Sequence, residues 1–269
     1  MASENHSGKV AEKRVEEAAE EELVSNLKTN NHQVNDDEQI KISLMRTFVQ
    51  TQDPTSKDVD DLTLRRFLRA RDLDVEKGSA LFLKHLKWRR SFVPNGFISE
   101  SEVSHDIAHK KVFMQGYDKA GHPILIIYGD KHFPNKVKGG IEEFKRFVVY
   151  VLDKLSAKIP TGQEKFFIIA DLEGWGYYSN CDIRGYLAAL SVLQDNYPER
   201  LAKFYLIHAP SVFMAAWKLI YPFIDDNTKK KFIFVDNKDL KSTLLQDIHE
   251  DQLPEVYGGK QPLLPIEES

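Results

Sequence analysis

Residues 197–235, YPERLAKFYLIHAPSVFMAAWKLIYPFIDDNTKKKFIFV, constrain the fold more than any other stretch. LAKFYLIHA is rich in aromatic and branched residues, reads as a buried strand, and ends at Pro210. Ser211 is a suitable N-cap for the helix that follows. From Val212 to Ile224 only Lys218 is charged, so this segment has no solvated face of the usual kind. A helix apolar all round requires burial or lipid. It is too short to cross a bilayer, which takes about 20 apolar residues, and Pro222 lies near its end. Two readings fit the pattern: a buried core helix, or a mobile lid over an apolar cavity whose Phe213, Met214, Trp217, Ile220, Tyr221 and Phe223 touch a membrane when open. Periodicity alone does not separate them. KFIFVD then opens a further strand behind a basic run.

The rest of the chain supplies partners for this unit. GIEEFKRFVVYVLDKLSAKI sets Phe144, Phe147, Val148, Val151, Leu152 and Leu155 at helical spacing, KFFIIADLEG is a buried strand, and DIRGYLAALSVLQDNY is a helix. KKVFMQGY and PILIIYGD are strands joined by Asp118-Lys119-Ala120-Gly121-His122, a hairpin expected at an antiparallel edge. Strands alternating with helices predict an α/β fold around a largely parallel sheet. KSTLLQDI reads as a short helix near the end. From about Gln39 to residue 92 the pattern is helical on either side of a polar gap, with Leu44, Met45, Phe48 and Val49 read as one face and Leu64, Phe67 and Leu68 as another. The organisation expected is an acidic disordered tail over 1–37, a helical domain over 38–92, a main domain over 93–262 and a short tail over 263–269.

Composition narrows the function. With 269 residues, 42% hydrophobic and 29% charged, the chain is an ordinary globular protein, and a net charge of −4 gives no overall attraction to nucleic acid. Cys181 is the only cysteine, which excludes an internal disulfide and fits the cytoplasm as the expected location. The N-terminal residues lack an apolar targeting segment, so any membrane contact is expected to be peripheral and transient.

Catalytic motifs are missing. GWGYYS after the IIADLEG strand has two glycines, but Ser179 takes the third place and Tyr177 and Tyr178 crowd the approach of a pyrophosphate. There is no Walker loop, nucleophile elbow or phosphatase-type cysteine loop. His105 and His109 are four apart, without a third ligand at matching spacing, and are read as solvent-facing. Asp171 and Glu173 end a strand and are read as a turn device. His208, inside its strand, is read as lining a cavity or hydrogen-bonding within the core. No enzyme, metal or cofactor is expected.

Several strings together resemble the CRAL-TRIO lipid-binding family, the Sec-fourteen-like phosphatidylinositol transfer proteins. They are RFLRARDLDVEKG with KWRRSF, DKAGHPILI, IIADLEG, NYPERLAKFYLIHAP, PFIDDNTKKKFIF and QLPEVYGGK, in order and spread over about 38–262. The resemblance implies a helical N-terminal bundle and a lobe whose mostly parallel five-stranded sheet floors a lipid cavity. It puts the segment Val212–Ile224 in the place of the family's gate, which selects the lid reading. In phosphatidylinositol-binding members an arginine, a glutamate, a threonine and a lysine hold the headgroup; the matching positions are Arg71, Glu199, Thr228 and Lys231. The chemistry agrees, since a sequestered phosphodiester needs a cation and hydroxyl donors while inositol hydroxyls need an acceptor. Lys229 and Lys230 are expected to face solvent or a membrane surface.

One departure changes the expected ligand. Where members that also carry phosphatidylcholine have hydroxylated residues, this chain has Met114, Leu125, Phe166 and Ile168, which are expected to line the cavity. None of them donates a hydrogen bond of that kind. The expectation is therefore a monomeric carrier of phosphatidylinositol and of a second, more apolar lipid. The alternatives are a carrier of a small sterol-like or isoprenoid-like hydrophobe, and a module presenting lipid to a lipid kinase.

Overall fold

The computed structural model describes residues 36–269, and most of the expected acidic tail, 1–35, lies outside them. Two compact units divide the chain, Met1–Phe82 and Leu83–Ser269.

In the first unit, helix α1 covers 36–52, and α2 (Asp61–Arg69) and α3 (Val75–Phe92) follow, α3 running on into the second unit. Asp60 caps α2 through its carboxylate, which accepts from the Thr63 amide at 2.7 Å. Asp72 and Leu73 turn the chain with positive φ, and Asp74 Oδ1 receives the Lys77 amide at 2.9 Å at the start of α3. Gly78 permits a close approach, since a Cβ there would stand 3.2 Å from the Leu68 Cα. Arg69 clamps Glu38 with two hydrogen bonds, 2.5 and 2.8 Å, joining α1 to α2. The buried face of α1 is Ile42, Met45 and Val49, which corrects the predicted face: Leu44 and Phe48 are exposed. At 100° per residue Ile42, Met45 and Val49 fall within about 60° of one another, whereas Leu44 and Phe48 point well away from that stripe.

The second unit is built on a five-stranded sheet in the order β1-β2-β3-β4-β5. Its strands are β1 (Val112–Tyr117), β2 (Pro123–Tyr128), β3 (Phe166–Asp171), β4 (Leu201–Ile207) and β5 (Phe232–Phe234). The expected hairpin forms the antiparallel edge, with Met114 opposite Leu125, and the other pairs are parallel. Asp118 organises its turn by accepting from the amides of Ala120 and His122 at 2.9 and 2.8 Å, and Gly121 takes the left-handed conformation there.

Alternation along the strands sorts side chains onto two layers. Val112, Met114, Leu125, Phe166 and Ile168 pack with Phe147, Val151 and Leu155 of helix α5 (Gly140–Ala157) and with Val192 of α7 (Ile183–Asn196). Their neighbours Phe113, Ile124, Ile126, Phe167, Ile169 and Tyr205 pack on the opposite side against Leu244 of α10 (Leu240–Asp247), Ile248, Leu253 and Tyr257. Four shorter helices complete this unit: α4 (Ser104–Ala108), α6 (Tyr177–Asn180), α8 (Phe213–Ile220) and α9 (Asp226–Lys229). The helix expected over Val212–Ile224 thus divides into α8 and a 3₁₀ turn at Tyr221–Phe223, because Pro222 cannot continue the α-helical hydrogen bonding.

Candidate functional site

β4 and β5 are parallel neighbours with Phe204 opposite Phe232, so β4 begins three residues ahead of β5, and side chains from the segments leading into the two strands meet there. Glu199 precedes β4 and Lys231 precedes β5; Lys231 Nζ stands 3.7 Å from Glu199 Oε2. Their side chains keep 18% and 28% of their exposure, so the pair is sheltered yet reachable. Two backbone features place it. Glu199 turns the chain with φ 57°, and the Lys231 carbonyl accepts from the Phe204 amide at 2.8 Å as β5 enters the sheet.

Thr228 belongs to α9. Asp225 caps this helix, accepting from the Thr228 amide at 2.8 Å, and the Thr228 carbonyl receives the Lys231 amide at 3.0 Å. One tight turn therefore carries both Thr228 and Lys231. Gln194 of α7 steadies it from the side, its Oε1 accepting from the Asp225 amide at 3.1 Å. Sequence reasoning did not single out Gln194, and nothing in the local pattern marks it. Lys229 departs from expectation: it is half-buried, bonded to Asp226 at 2.8 Å and set over the Tyr221 ring at 5.1 Å, while Lys230 is exposed. Arg71 lies in the first unit, where its guanidinium donates to the Ala70 carbonyl at 2.7 Å.

Helix α8, between β4 and α9, is half in and half out of the protein. Phe213, Ala216 and Ile220 of α8, with Ile224 beyond it, are buried. Val212, Met214, Leu219, Tyr221 and Phe223 are exposed, Leu219 to 52% and Phe223 to 59%. Inward, Phe213 meets Trp175 edge to face at 5.2 Å, and Trp217 rests on Phe232 at 5.1 Å and Phe234 at 5.4 Å. The sheet face under α8 is incompletely covered: Phe204, on an inner strand, and Phe232 are only half-buried, and Phe234 is exposed. Leu187, Ala188, Leu190 and Leu193 of α7 are half-buried as well. An inner strand that packs fully against helices closes its face, so this region is an apolar surface with access.

Met114, Leu125, Phe166 and Ile168 lie on the same layer as Phe204, and all four are buried where α5 covers the sheet. His208 is placed differently. With φ 51° it turns toward Asp171, Nδ1 to Oδ1 at 2.9 Å, and Asp171 Oδ2 accepts from Tyr257 of the opposite layer at 2.8 Å. Asp171 also receives the Glu173 amide at 3.0 Å, the turn device read from the sequence. Burial and the facing Asp171 carboxylate raise the Tyr257 phenol far above its ordinary range, so it stays a hydrogen-bond donor. Among the described residues no helix is long and apolar enough to cross a membrane.

Comparison with known proteins agrees with this geometry. The CRAL/TRIO domain family matches residues 107–259. The Sec14 cytosolic factor of Schizosaccharomyces pombe is 32% identical over 240 residues, covering 84% of this chain and 83% of that protein. The SEC14 cytosolic factor of Kluyveromyces lactis is 32% identical over 216 residues, covering 75% and 71%. Patellin-6 of Arabidopsis thaliana is 29% identical over 213 residues, 75% of this chain and 51% of that longer protein. The crystal structure of Sfh5 shares the fold, with a TM-score of 0.60 over 78% of this chain and 75% of that one at 19% identity. The chain belongs to the CRAL/TRIO family of lipid-binding and lipid-transfer proteins.

Proposed function

We propose that the chain carries phosphatidylinositol between membranes, exchanging it for a more apolar second lipid, with α8 and the following 3₁₀ turn as the gate. The observation that carries this reading is the division of α8: an apolar helix half of whose large side chains face water, above a sheet face that Phe204, Phe232 and Phe234 leave accessible. Transfer without a carrier is slow because each acyl methylene exposed to water costs about 0.8 kcal/mol. An apolar cavity removes most of that cost, and no covalent chemistry is involved. The gate opens at a bilayer because Val212, Met214, Leu219, Tyr221 and Phe223 exchange water for the interface, while Phe213 and Trp217 leave their contacts on the sheet.

Lys231 and Thr228 serve the phosphodiester, and Glu199 accepts from the inositol hydroxyls and faces Lys231 in the absence of ligand. Met114, Leu125, Phe166 and Ile168 disfavour a choline phosphate, since desolvating that group without donors would be costly. The protein works in the cytosol, as the names of its Sec14 relatives suggest. Native mass spectrometry of purified protein tests the ligand assignment. Phosphatidylinositol with an apolar second species is the expected outcome; phosphatidylcholine as the main non-inositol lipid refutes it.

A further inference from the structure

Away from the lipid site, α4 presents His105 and Asp106 side by side, and His109 caps its C-terminus. The spacing of four brings the two imidazoles edge to face, with ring centroids 4.6 Å apart. Reading these histidines as solvent-facing is incorrect, because both are partly buried and a third ligand is present in the adjacent Asp106. One ligand atom from each of the three residues lies within 4.8 Å of the others.

Three polar atoms of this cluster, His105 Nδ1, Asp106 Oδ2 and His109 Nδ1, are buried without a hydrogen-bond partner. Asp106 itself is only 2% exposed. Buried acceptors in native proteins are nearly always satisfied, so three together need an explanation. His105 Nδ1 and Asp106 Oδ2 are 4.0 Å apart, too far for a hydrogen bond from one to the other. With the ring protons on Nε2, the two Nδ1 atoms and Asp106 Oδ2 are three buried lone-pair donors without a proton to accept, a need that a cation meets.

The charge around the cluster points the same way. Lys111 Nζ is bonded to the other oxygen of Asp106 and lies 2.9 Å from His132 Nδ1, and His132 Nε2 is 3.4 Å from Asp182. Two carboxylates, Asp106 and Asp182, thus lie along one chain of contacts with a single ammonium, Lys111, and a third carboxylate, Glu143, accepts from the His105 amide at 3.1 Å. The Lys111 bond fixes the Asp106 carboxylate and leaves Oδ2 free, as outer-shell partners do for metal-bound carboxylates.

We propose that His105, Asp106 and His109 form a zinc site with two imidazole nitrogens, one carboxylate oxygen and a water in the fourth position. This donor set suits Zn²⁺ over the harder Ca²⁺ and Mg²⁺. Bonds of about 2.0–2.2 Å put tetrahedral donors about 3.4 Å apart, so the site closes by small side-chain movements. His105, 33% exposed, gives the ion a way in. The ion would staple the α4 segment that leads into β1.

The test uses the full chain after chelator treatment, titrated with Zn²⁺ by calorimetry and with Co²⁺ by visible absorption. One ion per chain and tetrahedral Co²⁺ bands displaced by Zn²⁺ are expected. His105→Ala and His109→Ala should each weaken Zn²⁺ binding at least about 10-fold, the scale that outer-shell changes alone can reach. His208→Ala should leave it unchanged, since His208 contacts Asp171 and is not one of the three proposed ligands. Thermal unfolding without metal checks that the half-exposed variants still fold, and Zn²⁺ should raise Tm only where both histidines remain. Absence of binding, or equal binding by the double histidine variant, overturns the proposal.

Discussion

Lys231 and Glu199 approach to 3.7 Å at the adjoining ends of two parallel strands, although 31 positions separate them in the chain. The contact is too long for a strong hydrogen bond and the pair keeps access to solvent, so its worth to the fold is small, about 0–1 kcal/mol. A pair that contributes little to stability while lying beside an accessible apolar face is suited to exchange partners with a ligand.

Lys231→Ala is expected to lower thermal stability by less than about 1 kcal/mol, because Glu199 is left where water can reach it. Phosphatidylinositol transfer between vesicles should fall about 10-fold or more, the loss of one charge-assisted contact of about 1.5–3 kcal/mol. Unchanged transfer by a folded variant would remove Lys231 from the headgroup site.

The outward side of α8 makes a separate prediction. Leu219→Asp and Phe223→Asp alter exposed positions, so unfolding should shift by about 0.5 kcal/mol or less. Each removes a large apolar side chain, about 1.5–3 kcal/mol when fully buried, from contact with lipid. Vesicle co-sedimentation should therefore drop about 10-fold in the double variant. Equal sedimentation would mean that another surface meets the membrane.

Asp60, in the first unit, provides a pH prediction. Desolvation raises its pKa, but the Thr63 amide and hydroxyl and the Arg66 charge outweigh this and hold it below the ordinary value. A carboxylate lowered in the folded state adds stability above its unfolded pKa, about 3.9, and loses it as pH falls through the lower folded value. Asp60→Ala should cost about 1 kcal/mol at pH 7 through the lost cap of α2, and Asp60→Asn less. The gap between wild type and Asp60→Asn should narrow below about pH 4 in denaturant titrations.

Much of this arrangement was legible in the sequence, for identifiable reasons. The alternation of strands and helices follows from periodicity, and the apolar helix after Pro210 stands out because one charge in thirteen positions is so unusual a pattern. The phase of α1 was not legible, since Leu44 and Phe48 are as apolar as Ile42 and only packing tells which stripe faces inward. For His208 the pattern allowed either cavity lining or a hydrogen bond within the core, and its contact with Asp171 depends on a positive φ that no local pattern records. Glu199 and Lys231 were named through the family resemblance; their proximity arises from the register of β4 and β5, which no local pattern records. Asp106 lies between the two histidines in sequence, but its burial with an unpartnered Oδ2 comes from packing, which their spacing does not record.

The most direct measurement of the central claim is transfer of labelled phosphatidylinositol from donor to acceptor vesicles, run beside labelled phosphatidylcholine and a labelled sterol. The account predicts protein-dependent phosphatidylinositol transfer, with phosphatidylcholine near background. Transfer of the sterol alone, or of phosphatidylcholine as fast as phosphatidylinositol, would contradict it.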